Sequence, residues 1–303
     1  MRVVSLFSGA GGLDLGFIKA GHEVVWANDF DADAVATYKK NIGEHIVLGD
    51  IKEIDADTIP DCDIIIGGFP CQGFSVANTK RNALDERNQL YKEFVRILEA
   101  KKPKYFLAEN VKGILSLEKG AVIAAIVDDF EAKGYRVVYK LLNAADYGVP
   151  QTRQRVIIVG VRDDLDVDFK YPEPTNSKSG EDGLPKWVSV SQAIGHYPDP
   201  DEPNDVPNHV YSKYKVSARN FTGHRLTDPN KPSPTILARG NGGGGVCAIP
   251  HYNNLRRMTI RESAEVQSFP ESFEFVGKLN SCYRQIGNAV PVKLAYEIAK
   301  MFD

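Results

Sequence analysis

Segment 67–75 places a cysteine in a setting that favours nucleophilic chemistry. Cys71 directly follows Pro70, just beyond an apolar run that ends at Gly67. The thiolate is the attacking form of cysteine, and it forms where positive charge or a helix end favours it. Taken alone, Cys71 is either such a nucleophile or a buried, inert cysteine, as most free cysteines are.

A second candidate site is the glycine-rich turn after the first apolar run. Gly9, Gly11 and Gly12 would let the backbone approach a ligand where a strand passes into a helix. The dinucleotide pattern requires a third glycine where this chain has Asp14, which disfavours a pyrophosphate but tolerates a zwitterionic amino acid. A plain tight turn is the alternative interpretation.

Two acidic residues at predicted strand ends extend this pattern. Asp29 lies twenty residues beyond Gly9, where a ribose hydroxyl pair is usually held. Asp50 follows the third predicted strand and could accept a hydrogen bond from an adenine amino group. The layout favours S-adenosylmethionine over NAD as the cofactor.

Short apolar runs alternate with helical patterns through the first half of the chain. Strands are predicted over 3–7, 23–27, 45–48, 63–67, 105–108, 137–141 and 156–161. Helices are predicted over 13–20, 31–42, 89–100, 121–133, 259–268 and 292–302. This order is typical of a doubly wound, mostly parallel α/β sheet, in which ligands bind beyond the carboxyl ends of the strands. The candidate residues lie at those ends.

The chain changes character after about residue 165, where prolines become frequent and a smaller, loop-rich domain is expected. The net charge is only −3, but it is unevenly distributed. Segment 163–205 holds eleven acids against three lysines, whereas segment 208–261 holds nine bases against one acid. The basic segment indicates either a polyanionic partner or a solvated basic face.

Composition excludes several other classes of protein. No apolar run approaches the roughly 18 residues of a membrane span, and the first residues lack a secretory pattern. The four cysteines are far apart and form no CxxC pair, which disfavours a zinc site or a disulfide scaffold. We therefore expect a cytoplasmic protein without a membrane segment or a metal.

Six motifs follow one another along nearly the whole chain, outside about 165–230. They occupy 7–12, 69–72, 109–111, 151–155, 261–270 and 285–291. In type and order they resemble the motifs of the DNA (cytosine-5)-methyltransferases of bacterial restriction-modification type. Asp29 departs from that family, in which glutamate is commoner at this place.

The resemblance implies methyl transfer from S-adenosylmethionine to C5 of cytosine in a short duplex DNA site. Cys71 would add to C6 of the ring, and a protonated Glu109 would hydrogen-bond N3. Arg155 would contact O2, and Arg153 would support the motif and a nearby phosphate. The target base would have to be flipped out of the duplex. A structural ion pair is the alternative role for Glu109 and the arginines.

The resemblance also implies two sets of contacts. Cofactor contacts are expected from Phe7, Ser8, Gly9, Gly11, Gly12, Leu13, Asp29, Phe30, Asp50, Ile51, Phe69, Pro70, Leu90, Asn288, Ala289 and Val290. DNA contacts are expected from Ser75 and Arg81 in a catalytic lid over 73–88, and from Thr235, Ile236 and Arg239. Arg239 is expected to read a base edge, with a phosphate contact or a structural salt bridge as the alternative, whereas Lys213 and Lys215 are expected to contact phosphates.

The expected organisation is a catalytic, cofactor-binding domain of 1–182 with 281–303, and a target-recognition domain and hinge of 183–280. We expect a monomer that acts on double-stranded DNA, independently of any cognate restriction endonuclease. A tRNA cytosine-5 methyltransferase and a catalytically inactive DNA-binding regulator are the alternatives. Intact Cys71, Glu109 and Arg155 argue against the second.

Overall fold

The computed structural model describes residues 1–69, 89–180, 183–216, 226–238 and 249–302. The strands are β1 (Arg2–Leu6), β2 (Glu23–Asp29), β3 (Ile46–Leu48), β4 (Ile64–Gly67), β5 (Tyr105–Val111), β6 (Tyr135–Asn143), β7 (Gln151–Thr152), β8 (Gln154–Arg162) and β9 (Ser233–Pro234). The α-helices are α1 (Gly12–Lys19), α2 (Ala32–Asn41), α3 (Gln89–Lys101), α4 (Ala121–Glu131), α5 (Val190–Ile194), α6 (Ile260–Val266), α7 (Leu279–Asn288) and α8 (Val292–Ala299). None of the helices in these ranges is long and apolar enough to cross a bilayer.

One seven-stranded sheet organises the chain, in the order β3-β2-β1-β4-β5-β8-β6. Strands β1 to β5 run parallel, and β8 is antiparallel to both of its neighbours. The mostly parallel, doubly wound sheet expected from the sequence is thereby confirmed. The strand order reverses between β1 and β4, so a crevice is expected beyond the carboxyl ends of these two strands.

Apolar side chains cover both faces of the sheet. On one face, Phe17, Leu107 and Ile298 belong to one buried cluster. On the other, Phe94 packs against Phe106 and Phe130, with ring centroids 6.0 and 5.8 Å apart. Because both faces are buried, the central strands consist of continuous apolar runs rather than alternating ones.

The C-terminal helix packs back on the sheet, as its amphipathic pattern predicts. Helix α8 lies against α1, where Gly16 contacts Ala295 so closely that any larger side chain would collide. Leu294 and Ile298 enter the same cluster as Val3 of β1. The end of the chain is therefore part of the domain that begins it.

A third apolar cluster joins the region after residue 183 to the sheet. Its members include Ile194, Ile236, Met258, Phe269 and Ile286. Ala10 of the glycine-rich turn belongs to it as well. Because this cluster spans both sides of the expected boundaries at 182 and 281, the division into two domains stays a prediction.

Helix α7 is an element that the sequence analysis missed. Cys282, Tyr283 and Ile286 form an apolar stripe at helical spacing, and the polar Ser281 and Gln285 are buried beside them. Gln285 donates to the carbonyl of Val276 and accepts from the hydroxyl of Thr37. Polar groups that find such partners extend the buried face beyond the apolar stripe, and their burial is not encoded in hydrophobic periodicity.

Candidate active site

The glycine-rich turn between β1 and α1 folds against the end of β2. The amide of Gly9 donates to Oδ2 of Asp29 over 2.8 Å, and the amide of Ser8 donates to the carbonyl of Asn28 over 2.9 Å. Gly9 and Gly11 have φ of 55° and 85°, the left-handed region that glycine adopts without strain. The turn and Asp29 are therefore adjacent, as the sequence predicts.

Asp29 combines burial with unused acceptor capacity. Its other oxygen accepts the amide of Asp31 over 2.8 Å, and burial raises the pKa of this carboxyl. Phe30, the next residue, is 71% exposed, so an aromatic face stands open beside the carboxylate. A carboxylate next to an open aromatic ring can bind a ribose and a base.

Asp50 caps the short helical turn that begins at Ile51. Its side chain is exposed, and it accepts the amide of Lys52 over 3.1 Å. The preceding Gly49 receives a hydrogen bond from the Asn28 side chain over 3.0 Å, which ties this segment to the end of β2. Asp50 and Asp29 therefore both lie at the carboxyl ends of the neighbouring strands β3 and β2.

Distant parts of the chain close around the turn. Gly12 lies directly against Val290 and Ala289, and a side chain at Gly12 would collide with the Val290 carbonyl. Asn288, which ends α7, is exposed. Leu13 is buried in the cluster that also holds Val290. A second set of cofactor candidates shares the apolar cluster on the other face: Phe7, Ile51, Phe69 and Leu90.

Glu109 and Arg155 form a close charged pair near the carboxyl end of strand β5. The sequence places Glu109 just after its strand, but β5 continues to Val111 and contains it. Glu109 pairs with Ile157 and Val111 with Arg155, so Glu109 and Arg155 are diagonal neighbours on one face. Glu109 Oε1 lies 2.6 Å from Arg155 Nε, and each side chain is 11% exposed.

This pair leaves one carboxylate oxygen incompletely bonded. Within the described ranges, no donor is aligned with Glu109 Oε1 for a hydrogen bond, although Arg155 Nε is close. A buried polar atom without an aligned partner is costly, and such atoms are common where a ligand completes the site. The contact between Glu109 and Arg155 is therefore a close, buried ion pair without an aligned hydrogen bond to Oε1.

The segment that leads to Cys71 begins beside Glu109. The Phe69 carbonyl accepts a hydrogen bond from Asn110 Nδ2 over 3.2 Å, and the Phe69 ring lies 5.3 Å from that of Tyr91. A Cβ on Gly68 would come within 2.9 Å of Glu109 Oε2, so a larger residue there would displace the carboxylate. Five candidates lie outside the described residues: Pro70, Cys71, Ser75, Arg81 and Arg239.

Arg153 lies at a junction of three chain segments. It is 1% exposed, and it donates to the carbonyl of Ile236 over 2.9 Å and to that of Gly287 over 2.8 Å. Gln151 accepts the amide of Ile236 over 3.0 Å and donates to the side chain of Gln267 over 2.9 Å. Ile236 is therefore anchored through both of its backbone polar groups.

The contacts at this junction limit the roles that three candidate residues can have: Arg153, Thr235 and Ile236. Burial, with the nearby charge of Arg155, lowers the pKa of Arg153, whose terminal nitrogens bond to carbonyls inside the protein. Ile236 is 1% exposed, and the Thr235 hydroxyl donates to the carbonyl of Thr152 over 2.7 Å. The structure supports anchoring roles here, and the DNA contacts expected of these residues stay predictions.

Sequence reasoning missed three amide side chains of the site: Asn110, Gln151 and Gln267. Gln151 and Gln267 are 0% exposed, and Gln267 also donates to the carbonyl of Ile286 over 2.7 Å. All three belong to recognised motifs, so their positions were visible. Their partners were not, because those partners are brought close only by the fold.

The basic segment 208–261 is less free than its charge suggests. Lys213 Nζ lies 2.6 Å from Asp201 of the acidic segment, and the Tyr211 hydroxyl donates to the same carboxylate over 2.6 Å. Arg256 forms two 2.7 Å hydrogen bonds with Glu262. In the described part of this segment, Lys213 and Arg256 therefore form ion pairs within the protein. The ion pair of Lys213 competes with its expected phosphate contact.

Comparisons with known proteins bear on the whole chain. Residues 1–302 match the family of C-5 cytosine-specific DNA methylases. The type II methyltransferase M.NgoFVII of Neisseria gonorrhoeae is 46% identical, over 99% of this chain and 85% of its own length. The type II methyltransferase M.MthTI of Methanothermobacter thermautotrophicus is 39% identical, over 99% of this chain and 96% of its own.

Solved structures agree with this assignment. A protein described as a DNA modification methyltransferase of an Escherichia coli prophage superposes with a TM-score of 0.75 and 27% identity, over 99% of this chain and 97% of its own. The Dnmt2 methyltransferase of S. pombe shares the fold, with a TM-score of 0.71 at 22% identity, over 99% of this chain and 97% of its own. The chain therefore belongs to the C-5 cytosine-specific DNA methylases, and it is a DNA (cytosine-5)-methyltransferase related to those of type II restriction-modification systems.

Proposed function

We propose that this enzyme methylates C5 of one cytosine in a specific short duplex DNA sequence, through base flipping and a covalent bond between Cys71 and C6. The observation that carries the proposal is the Glu109–Arg155 pair at the point where the Cys71 segment begins. An acid, a cation and the start of a cysteine-bearing loop are the groups that addition to a pyrimidine ring requires.

The residues around the glycine-rich turn fit S-adenosylmethionine. Asp29 would accept hydrogen bonds from ribose hydroxyls, and the exposed ring of Phe30 would stack on the adenine. Space for a ligand remains over Gly9, since no atom of the described residues lies within 4 Å of where its Cβ would be. When bound, this cofactor would supply an electrophilic methyl group on a sulfonium.

Cysteine addition is needed because C5 of cytosine is a poor nucleophile. The Cys71 thiolate would form a bond to C6, which turns the ring into an enamine whose electron pair lies on C5. A protonated Glu109 would donate a hydrogen bond to N3 and offset the negative charge that develops there. Arg155, which lies 2.6 Å from Glu109 Oε1, would face O2 of the same ring.

The second half of the reaction restores the enzyme. After methylation, loss of the C5 proton returns its electron pair to the ring and breaks the bond between C6 and the sulfur of Cys71. The thiolate and an aromatic 5-methylcytosine result. Glu109 would give up its hydrogen bond to N3 when the product leaves.

Base flipping is proposed because the Glu109 side chain is buried. Glu109 is 8% exposed inside strand β5, so a cytosine stacked in a duplex could not reach it. Extruding one base costs roughly a few kcal/mol, which DNA contacts must offset. The expected lid over 73–88 lies outside the described residues.

Trapping of a covalent adduct tests the mechanism directly. Duplex DNA with 5-fluorocytosine at the target should form an adduct that requires S-adenosylmethionine, because fluorine blocks the final elimination. Cys71→Ala should abolish the adduct. Cys62→Ala is the matched control: burial raises the pKa of the Cys62 thiol to about 12, which makes it a poor nucleophile.

An adduct that survives Cys71→Ala, or one that is lost in Cys62→Ala, would contradict the mechanism. Bisulfite sequencing of plasmid DNA from cells that express the enzyme should show one methylated sequence context. Methylation of tRNA in place of duplex DNA would favour the alternative substrate.

A further inference from the structure

Asp14 is a fully buried carboxylate that the proposed mechanism leaves without a role. It lies in the first turn of α1, directly below the glycine-rich turn, and it is 0% exposed. The Ser5 hydroxyl donates to its Oδ1 over 2.7 Å, and the Tyr38 hydroxyl donates to its Oδ2 over 2.8 Å. An ionised carboxylate in this place needs both donors.

The number of hydrogens fixes the direction of every bond in this network. Tyr38 has one hydroxyl hydrogen and gives it to Asp14, so Nε2 of His45, 3.0 Å from the phenol oxygen, must donate. Ser5 likewise gives its hydrogen to Asp14, so Ser8, whose Oγ is 2.9 Å from that of Ser5, must donate to Ser5. The carboxylate therefore orients four side chains.

Ser8 is the point at which this network reaches the cofactor turn. Both partners of its hydroxyl, Oγ and the carbonyl of Ser5, take the same hydrogen inward. The outer side of the Ser8 oxygen then presents lone pairs alone. With a buried negative charge behind it, such an oxygen favours a cationic donor over a neutral one.

We propose that Asp14 is a positioning residue that acts through Ser5 to orient the Ser8 hydroxyl, so that this hydroxyl accepts a hydrogen bond from the ammonium of the cofactor's amino-acid end. The inference rests on the proposed cofactor. It assigns the opposite end of that cofactor to Asp29 and Phe30, which would bind the nucleoside.

Protonation of Asp14 would reverse the network. Burial, with the nearby charge of Asp29, raises the pKa of Asp14 to about 6. A proton on Oδ1 would turn Ser5 into an acceptor, and Ser5 would then give its own hydrogen to Ser8, which leaves the Ser8 oxygen with fewer lone pairs for the ligand. The other titratable groups that face this network are Tyr38 and His45, and Nε2 of His45 donates in both protonation states.

Binding of two nucleosides by calorimetry tests the proposal. S-adenosylhomocysteine carries the ammonium, whereas 5′-methylthioadenosine lacks the amino-acid end. Ser8→Ala and Asp14→Asn should each weaken S-adenosylhomocysteine about tenfold or more at pH 7.5. Both variants should bind methylthioadenosine within about twofold of the parent. Tyr38→Phe removes one of the two donors to Asp14 and should therefore weaken S-adenosylhomocysteine in the same direction, while methylthioadenosine serves as the control ligand.

A pH series separates this role from a merely structural one. The affinity of the parent for S-adenosylhomocysteine should fall as the pH drops through about 6, where the ligand itself does not titrate, and Ser8→Ala should remove that dependence. Equal weakening of both nucleosides, or unchanged S-adenosylhomocysteine binding in Ser8→Ala, would overturn the role of Ser8 alone. A parent that binds neither nucleoside would overturn the proposed cofactor as well.

Discussion

Arg155 and Arg153 are two residues apart, yet they belong to regions of opposite character. Arg155 lies in β8 beside the carboxyl end of β5, where its guanidinium lies 2.6 Å from the Glu109 carboxylate. Arg153 lies in the junction behind it, and no carboxylate of the described ranges forms an ion pair with it. We propose that the first region presents charge to a substrate, whereas Arg153 bonds to carbonyls of two other chain segments and holds them together.

The physical cause is how each charge is compensated. In a buried ion pair each charge compensates the other, and removal of one partner leaves an uncompensated buried charge. A guanidinium whose nitrogens bond to carbonyls of Ile236 and Gly287 cannot leave them without abandoning two buried acceptors. The proposed catalytic contact of Arg155 and the structural contacts of Arg153 thus arise from one short motif, 151–155.

The largest expected effect concerns Glu109. Because Glu109→Gln removes the proton donor but keeps the shape, methyl transfer should slow by about 10²- to 10⁴-fold. The affinity for duplex DNA should change by no more than a few-fold, since the role is confined to the transition state. Single-turnover methylation and equilibrium DNA binding measure the two quantities.

Arg155→Met is the companion variant for this test. It removes the cation of the pair and should slow the same step, while Glu109 remains in place. Equal losses of DNA affinity and turnover in Glu109→Gln would assign the pair to structure, and the contrast with Arg153 would disappear.

A smaller effect, on stability instead of chemistry, is expected at Arg153. Arg153→Met should leave the carbonyls of Ile236 and Gly287 unsatisfied, and the free energy of unfolding should fall by about 2–4 kcal/mol. Urea unfolding measures this loss. Arg155→Met should also cost stability, because it leaves the buried Glu109 carboxylate without its cation, so the loss of methyl transfer is what distinguishes the two variants.

The two variants can also be compared through the fluorocytosine adduct. The folded fraction of Arg153→Met should still form it, whereas Arg155→Met should form it slowly. A stable Arg153→Met enzyme that cannot form the adduct would give Arg153 the catalytic role expected from its motif.

The residues at the carboxyl ends of the strands were largely predictable from the sequence, whereas the contacts at the Arg153 junction were not. Buried strands and their polar ends have local patterns, which located the glycine-rich turn, Asp29 and Glu109. Arg153 meets partners 83 and 134 residues away, and no local pattern encodes such distances. Gln285 shows the same limit, since its burial depends on Thr37, 248 residues away.

The smallest expected effect tests whether an exposed ion pair is available to DNA or stays paired within the protein. Lys213 and Asp201 form an ion pair whose side chains are 69% and 57% exposed, unlike the buried pair near the carboxyl end of β5. Asp201→Asn should release Lys213 to a DNA phosphate. Binding should then tighten at low salt, and the log–log salt dependence should steepen by about one unit. Titrations of duplex DNA at several salt concentrations measure that slope.

Lys213→Ala decides between two descriptions of this surface. If Asp201 holds Lys213 in the DNA complex, Lys213→Ala should leave the slope almost unchanged, because no counterion is released by a lysine that stays paired. If Lys213 exchanges Asp201 for phosphate, Lys213→Ala should flatten the slope by about one unit, and Asp201→Asn should leave it unchanged. In the second outcome, the exposed pair of Lys213 and Asp201 would resemble Glu109 and Arg155, because both pairs would present a charge to the substrate. The contrast between substrate-binding charges and structural charges, drawn from Arg155 and Arg153, would then also apply to the surface that binds DNA.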